Sequence, residues 1–146
     1  PLRPPRNESA EMYAFEPPVG AQPVAISQIQ PSNHDWVVKR HLAHDISMLE
    51  VFNDRGVIKL EDIDLEMEDR IHEQYSYKTS DFDSAKGEVQ ARRGFRRGIW
   101  DVHTDTRTVL QSNETHFLLH ATLDAFENDL KVYSKTWNLK IPRDHV

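Results

Sequence analysis

The last sixty residues constrain the fold most, because three turn signals divide them into segments of similar length. The signals are Arg97-Gly98, Ser112-Asn113 and Glu127-Asn128-Asp129. Glycine and asparagine accept the left-handed backbone conformation that tight hairpin turns require, and we expect Asn128 to adopt it. The segment therefore predicts four consecutive antiparallel strands that are joined by three short hairpins.

Each turn also fixes which residues face each other across the two strands that it joins. The predicted pairs include Phe95 with Trp100, Ala91 with Thr104, Thr108 with Phe117, Thr106 with Leu119, Leu123 with Tyr133, and Leu119 with Trp137. These registers place the apolar side chains on one shared face of the sheet. Because neighbouring residues of a strand point to opposite faces, a slip of one residue would move the whole set to the other face.

Residues 63–78 alternate between apolar and polar side chains. Six of the eight odd positions are apolar, and none of the even positions is. This period of two is typical of a strand that has one face in solvent. A helix is the alternative, because Met67, Ile71 and Tyr75 lie four residues apart and acidic residues are poor strand formers. We favour the strand.

The N-terminal half predicts three further strands, at residues 24–30, 35–43 and 46–52. The third has an alternative, since Asp45 could cap a short helix that ends before Gly56. We favour the strand here too, because the turn-like segment Asn53-Asp54-Arg55-Gly56 follows it.

Proline marks the predicted boundary of the domain. Seven of the eight prolines lie within the first 31 residues, and proline lacks the N–H that β-ladders need. We predict that residues 1–22 form a proline-rich linker or strap and that residues 23–146 form a single β domain. The expected all-β fold is a strongly curved antiparallel sheet or flattened barrel of about seven to nine strands with a C-terminal meander. A two-sheet β-sandwich is the alternative.

Composition argues against several functions. The chain has no cysteine, which removes disulfides, thiolate metal ligands and a cysteine nucleophile, and which fits the reducing cytoplasm. Its formal net charge of -6 argues against a nucleic-acid partner. No apolar run approaches the roughly 20 residues that span a bilayer, so we expect no membrane partner.

Several segments resemble the C-terminal end of CocE/NonD-type hydrolases, which are α/β-hydrolases related to X-Pro dipeptidyl-peptidases and cocaine esterase. The segments are WDVHTDTRT at 100–108, THFLLHATLDAFE at 115–127, Trp137, and Ile141-Pro142-Arg143-Asp144. Residues 62–66, Tyr75-Ser76 and the linker Arg3-Pro4-Pro5-Arg6 fit the same pattern. The resemblance implies a β-rich C-terminal module of a serine hydrolase.

The catalytic motif of that family is absent from this sequence. Its nucleophilic serine sits in a G-x-S-x-G turn, and none of the five glycines here brackets a serine in that spacing. The resemblance therefore implies a non-catalytic accessory domain, while another domain hydrolyses acyl esters or X-Pro peptides. The expected partner is the chain's own α/β-hydrolase domain or a neighbouring subunit, for example in a homo-oligomer, and we expect no cofactor.

Histidines suggest one competing site. The predicted register places His120 directly opposite Asp105, with His103 and His116 on the same face. Two histidines and a carboxylate suit a metal ion or a proton-transfer pair. We favour the alternative, in which these residues form the solvent face of an antiparallel sheet, so that no metal is bound.

A second candidate lies on the apolar face, where two cations accompany apolar and hydroxyl side chains. The set consists of Arg93, Thr104, Thr106, Tyr133, Lys135 and Trp137. Buried cations are costly unless they are paired, so a curved sheet could hold an anionic or amphipathic ligand there, as a small-molecule or lipid-binding half-barrel would. We favour the alternative that both cations lie near an edge and extend to water.

Overall fold

The computed structural model describes residues 19–144 and places eight β-strands in one antiparallel sheet. The elements are β1 (Ile26–Gln30), β2 (Asn33–His41), β3 (Ile46–Leu60), a 3₁₀ helix (Glu61–Ile63), β4 (Leu65–Lys78), β5 (Asp81–Arg97), β6 (Trp100–Ser112), β7 (His116–Glu127) and β8 (Leu130–Pro142). Strands β3 to β8 are neighbours in chain order, and both β1 and β2 pair with β3. The predicted all-β fold, a curved antiparallel sheet with a C-terminal meander, is confirmed.

The sheet is open. Strands β1 and β2 form one edge, and β8 forms the other. The two edges share no hydrogen-bonded pair within residues 19–144, so neither the flattened barrel nor the two-sheet sandwich forms there. No helix in this part of the chain is long and apolar enough to cross a membrane. Most of the predicted linker at residues 1–22 lies outside the described residues.

Strand β3 carries a β-bulge where the sequence predicted a turn. The strand continues through residues 53–56, and its register with β4 shifts between Asp54 and Val57. Gly56 has a φ of 68° and donates its N–H to Asp54 Oδ1 at 2.7 Å. These turn-forming residues bend the strand instead of ending it, so β2 pairs with its first half and β1 with its second.

Both segments for which a helix was the alternative are strands. Strand β4 pairs along its length with β3 on one side and β5 on the other, as its alternation predicted. Asp45 has a φ of 53° and lies in the turn before β3, so it caps no helix. Pairing along long neighbouring strands therefore outweighs the weak local preference of acidic residues against strands.

The first C-terminal hairpin forms, but its predicted register is wrong by two residues. Arg97 pairs with Trp100, so the loop is Gly98-Ile99 and Phe95 faces Val102. Gly98 has a φ of 59° and occupies the first loop position, which is the glycine position of a type II′ turn. The prediction had placed this glycine second in the loop.

The second hairpin differs from its predicted register by four residues. The side chain of Asn113 accepts hydrogen bonds from the N–H groups of Thr115 at 3.0 Å and His116 at 2.8 Å. Asn113 N–H also donates to the His116 carbonyl at 3.0 Å, so the chain reverses beyond the predicted Ser112-Asn113 loop. The predicted pairing of Thr108 with Phe117 is therefore wrong.

The third hairpin contains the predicted left-handed asparagine. Asn128 has a φ of 53°, which confirms that expectation. The loop is shorter than predicted, and a register shift follows near Ala125, so Leu123 faces Lys135 and not Tyr133. The errors of the first two hairpins, and that of the third beyond its register shift, are even numbers of residues, so these side chains keep their predicted face. Leu130 and Lys131, which lie next to the third loop, are off by one residue. The shared apolar face is thus confirmed although the individual pairs are not.

The register divides the side chains between two unlike faces. The charged face includes Glu50, Arg70, His72, Glu88, Arg92, Asp105, Arg107 and Asp124. The apolar face includes Val51, Ile71, Val89, Phe95, Val102, Leu119, Leu123 and Trp137. The buried hydrophobic residues of the described chain are Val51, Val57 and Val109, and no side chain there is completely enclosed. No second layer covers the apolar face within residues 19–144.

Candidate functional site

Glu88 is the most heavily bonded carboxylate of the charged face. Arg107 Nε donates to it at 2.7 Å, Gln90 Nε2 donates at 3.1 Å, and Lys86 Nζ lies at 2.9 Å. Its side chain is only 10% exposed. The hydrogen bond from Arg107, and then that from Lys86, lowers the pKa of Glu88 from 4.5 to about 2. Glu88 is therefore a structural anion at neutral pH.

The other acidic residues of this face have partners of their own. Arg92 binds Asp105 through two hydrogen bonds of 2.7 and 2.6 Å, which lower the pKa of that carboxyl. Lys131 and Ser134 donate to Asp124 at 2.7 and 2.6 Å and lower its pKa as well. These carboxylates are held by cations instead of being available as a general base, because ion pairing favours their charged form.

The structure does not assemble the predicted histidine site. His120 faces Val109, whereas Asp105 faces Asp124, so the predicted pairing of His120 with Asp105 is wrong. Four residues of β6 separate Asp105 from Val109, which is about 13 Å along a strand. The physical reason is the Asn113 turn, which shifts the whole strand pair.

Each histidine of the predicted set has a local contact instead. The His103 ring stacks on Phe126, with the centroids 4.6 Å apart. His120 Nδ1 lies 2.6 Å from Asn138 Oδ1, and His116 Nδ1 lies 2.8 Å from Thr115 Oγ1. Within residues 19–144, no three histidine, aspartate or glutamate side chains are placed to hold a metal ion together.

We expect zinc to leave the thermal stability of this protein unchanged. A metal that binds only the native state must raise the melting temperature, and the separated histidines offer no shared site. Differential scanning fluorimetry with a tenfold molar excess of Zn²⁺ checks this. A rise in Tm that disappears in both a His120→Ala and a His103→Ala variant would contradict it.

The apolar face exposes large side chains on several strands. Trp36 and Val38 on β2 are 73% and 77% exposed, and Leu139 on β8 is 49% exposed. Large apolar side chains exposed on several strands of one face indicate a contact surface for another molecule or domain. The face is therefore the strongest candidate for a functional surface.

Two shallow grooves lie on the apolar face. The first, of about 570 Å³, is lined by Tyr75, Tyr77, Phe82, Gly87, Leu110 and Phe117. The second, of about 540 Å³, is lined by Arg93, Phe95, Trp100, Val102, Thr104 and Ala125. Both open to solvent because the sheet has no closing strand. Grooves of this kind accommodate protruding side chains of a second surface better than they enclose a small ligand.

Only two members of the predicted ligand set line the same groove. Arg93 and Thr104 line the second groove together. The remaining members, Thr106, Tyr133, Lys135 and Trp137, share the apolar face but do not line that groove. Lys135 lies on the edge strand β8 and places its Nζ 4.9 Å from the Trp137 ring centroid. Both cations are exposed, but only Lys135 lies at an edge of the sheet, because Arg93 is on the interior strand β5.

Sequence reasoning missed the hydrogen-bond network around Glu88. The sequence did contain a signal for this network, because charged residues at alternate positions of β5 must lie on one face of the sheet. Arg107 lies diagonally across from Glu88, opposite Gln90, and only the true register of β5 with β6 brings the two together. The network stabilises the charged face and leaves the apolar face free to contact another surface.

Comparison of the chain with protein-family models, with curated proteins and with solved structures finds no match.

Proposed function

We propose that this chain is a non-catalytic accessory domain of a CocE/NonD-like serine hydrolase and that its apolar face packs on the catalytic domain or on a neighbouring subunit. The observation that carries the proposal is the uncovered apolar face. A β-sheet that is apolar on one face must bury that face against another layer, and residues 19–144 supply no such layer. A partner surface completes the fold.

The ion pairs of the charged face support a contact through the opposite, apolar face. Its carboxylates are neutralised by cations of the same chain, as the Glu88 and Asp105 contacts illustrate. A surface whose charges are already paired within the chain gains little by further burial, because its exposed charged groups lose solvation when they leave water. The opposite, apolar face gains about 25 cal/mol for each Å² of apolar area removed from water.

The longest segments that carry the family resemblance lie on consecutive strands. They occupy β6, β7 and the end of β8, and Arg143 joins them. Its N–H donates to the Thr115 carbonyl at 2.9 Å, its Nη1 donates to the Asn113 carbonyl at 3.0 Å, and its guanidinium lies 5.4 Å from the Phe117 ring centroid. The Ile-Pro-Arg-Asp tail thus has a structural role at the β6–β7 turn.

The sequence also supports an accessory role. It has no serine bracketed by glycines in the spacing of a nucleophile elbow, so the proposal assigns ester or X-Pro peptide hydrolysis to the partner domain. The lack of cysteine fits the reducing cytoplasm in which we propose that the domain works.

The purified chain should show no hydrolysis of 4-nitrophenyl butyrate or of an X-Pro 4-nitroanilide above the buffer rate. It should form a complex on size-exclusion chromatography with a CocE/NonD-type catalytic domain from the same genome. Leu119→Asp, on the apolar face of β7, should abolish the complex because it would bury an unpaired carboxylate. Thr122→Asp, on the charged face of the same strand, is the matched control and should leave it intact.

Two results would refute the accessory role. One is hydrolysis that a single substitution within this chain abolishes. The other is a complex that Leu119→Asp and Thr122→Asp weaken equally, because the apolar face would then not be the contact. Circular dichroism of both variants separates a loss of binding from a loss of folding.

The first groove favours a second candidate function, which is binding of a small apolar molecule or lipid. Its lining is aromatic and aliphatic, and its volume of about 570 Å³ falls within the range of ligand sites. Saturable binding of a fluorescent fatty acid by the isolated chain, competed by the catalytic domain, would place both partners on the same face. Saturable binding without such competition would favour the ligand-binding function.

A further inference from the structure

Strand β8 leaves one side of its backbone without a partner at the edge of the sheet. It pairs with β7 on one side, and no strand among residues 19–144 pairs with it on the other. From Tyr133 to Pro142 its register with β7 is unbroken. An edge of this kind can accept a further strand, because the N–H and C=O groups that point away from the sheet are free to bond.

One hydrogen bond shows which residues of β8 point outward. Arg143 N–H donates to the carbonyl of Thr115, the residue opposite it, at 2.9 Å, so the two form a hydrogen-bonded pair. Hydrogen-bonded and non-hydrogen-bonded pairs alternate along an antiparallel ladder. The odd-numbered residues from Tyr133 to Ile141 therefore bond to β7. The even-numbered residues direct their backbone groups to the open edge, and they are Ser134, Thr136, Asn138 and Lys140.

The side chains of the outward residues leave these backbone groups free. Ser134 Oγ donates to Asp124 at 2.6 Å, and Asn138 Oδ1 lies 2.6 Å from His120 Nδ1, so both side chains bind β7. No turn or loop within residues 19–144 bonds to the backbone of residues 134–140 from the open side. The free donors and acceptors thus form one continuous row along the edge.

This row is symmetric about Trp137, so it is complementary to a second copy of itself. An antiparallel pair with a two-fold axis at Trp137 places Ser134 opposite Lys140 of the second copy. It also places Thr136 opposite Asn138 of the second copy. Each such pair exchanges two hydrogen bonds, so every outward residue of the row finds a partner.

The ends of the row favour this register over its neighbours. A shift of the axis by one residue would place one end of the row at the β-bulge of Val132 or opposite Pro142, which has no N–H. With the axis at Trp137, Lys135 faces Leu139 of the second copy, and Lys140 faces a serine. No cation of the paired segment therefore lies opposite another cation.

The other edge of the sheet is less suited to such pairing. Strands β1 and β2 pair with different halves of β3, and Pro31 lies between them. Proline and bulges are features by which sheets protect their edges. Pairing of that edge with β8 would also be heterologous and would extend into open filaments, whereas pairing of β8 with β8 closes as a dimer.

We propose that β8 joins a second copy of this chain by antiparallel edge pairing about a two-fold axis at Trp137. Main-chain hydrogen bonds hold the two copies together, as in other cases of strand addition. Paired residues lie on the same face of a sheet, so both apolar faces lie on one side of a continuous sheet and stay open to another surface. The pairing thus goes beyond the accessory role and does not depend on it.

Single cysteines test the register, because the chain has no cysteine of its own. In a non-hydrogen-bonded antiparallel pair the two Cα atoms are about 4.5 Å apart, which a disulfide can bridge. Trp137→Cys should therefore form a cross-linked dimer with oxidised glutathione, seen by non-reducing gel electrophoresis. Lys135→Cys is the matched control on the same face, because its two copies would lie about 13 Å apart along the strands. It should give less than about a tenth of the cross-linked dimer, because a disulfide cannot span that distance.

Thr136→Pro tests the hydrogen bonds of the pairing without removing a donor of the β7 ladder. The Thr136 N–H points outward, and proline is tolerated where an edge N–H faces solvent. The Kd of the dimer, from sedimentation velocity over a dilution series, should rise about tenfold or more, because two symmetry-related hydrogen bonds are lost. Thr136→Val keeps the N–H and should leave the Kd within about twofold. Circular dichroism checks that each variant is folded, and the cysteine variants decide if the proline variant is not.

Several outcomes would overturn the edge pairing. They are a parent chain that stays monomeric at its highest soluble concentration, filaments instead of a dimer, and equal cross-linking of Trp137→Cys and Lys135→Cys. A dimer that Leu119→Asp abolishes and Thr136→Pro leaves intact would place the second copy on the apolar face instead. If no dimer forms while the complex with a catalytic domain persists and remains sensitive to Leu119→Asp, only the edge pairing is refuted. If the dimer forms and that complex does not, only the accessory role is refuted.

Discussion

Gly56→Ala should lower the free energy of unfolding by more than about 3 kcal/mol, because it adds both backbone strain and a steric clash. Gly56 has a φ of 68°, and a Cβ there would lie 2.1 Å from the Gln30 carbonyl oxygen and 2.6 Å from that of Pro31. Those oxygens belong to the backbone, so relieving the clash requires β1 to move away from β3. Urea unfolding monitored by circular dichroism measures the loss.

Gly98→Ala is the matched control for this prediction. Gly98 has a similar φ of 59°, but no heavy atom lies within 4 Å of the position of an added Cβ. The substitution should therefore cost only the conformational strain, about 1–2 kcal/mol. Equal losses for the two variants would show that close packing of the Gln30–Pro31 segment against the bulge contributes nothing.

Glu88→Ala should lower the melting temperature at pH 7 by several degrees. It should also make the melting temperature fall less steeply as the pH is lowered. The change removes the acceptor that Arg107, Lys86 and Gln90 share, and it leaves those donors without their partner. In the parent chain the pKa of Glu88 is lowered from 4.5 to about 2 by these contacts. A lowered pKa means that the ionised form favours the folded state.

The stabilisation by Glu88 is therefore complete above about pH 4.5 and is lost as the pH falls through about 2. Tm values measured between pH 7 and pH 2 should fall less steeply in Glu88→Ala than in the parent chain. Glu114→Ala, in the exposed turn before β7, is the control and should keep the parent slope. Identical slopes for the parent chain and Glu88→Ala would rule out the proposed linkage.

The faces of the sheet could be predicted from the sequence because side-chain alternation is a local property. The alternation of β4 identified its strand, and the apolar face contains Leu123 and Trp137 as expected. Registers were less predictable, since each depends on which residue begins a turn. The side-chain hydrogen bonds of Asn113 place the turn between β6 and β7 further along the chain than predicted. Gly98 occupies the first position of the turn between β5 and β6, and not the second as predicted.

How well each candidate site could be predicted also depended on whether it required the correct face or the correct register. Arg93 and Lys135 were assigned to the correct face, because membership of a face survives an even shift in register. The pairing of His120 with Asp105 failed, because a direct contact does not survive such a shift. The bulge at Gly56 could not be foreseen, since its turn-like residues also fit the end of a strand.

The sequential order of the sheet has a consequence for how the chain folds. From β3 onward every strand pairs with the one just before it in the chain, and only β1 must pass over β2 to reach its partner. Contacts between segments close in sequence form at a small cost in loop-closure entropy, so we expect faster folding than in β-proteins with distant pairings. During synthesis on the ribosome, each new strand could add to the edge left by its predecessor, so the meander could grow strand by strand.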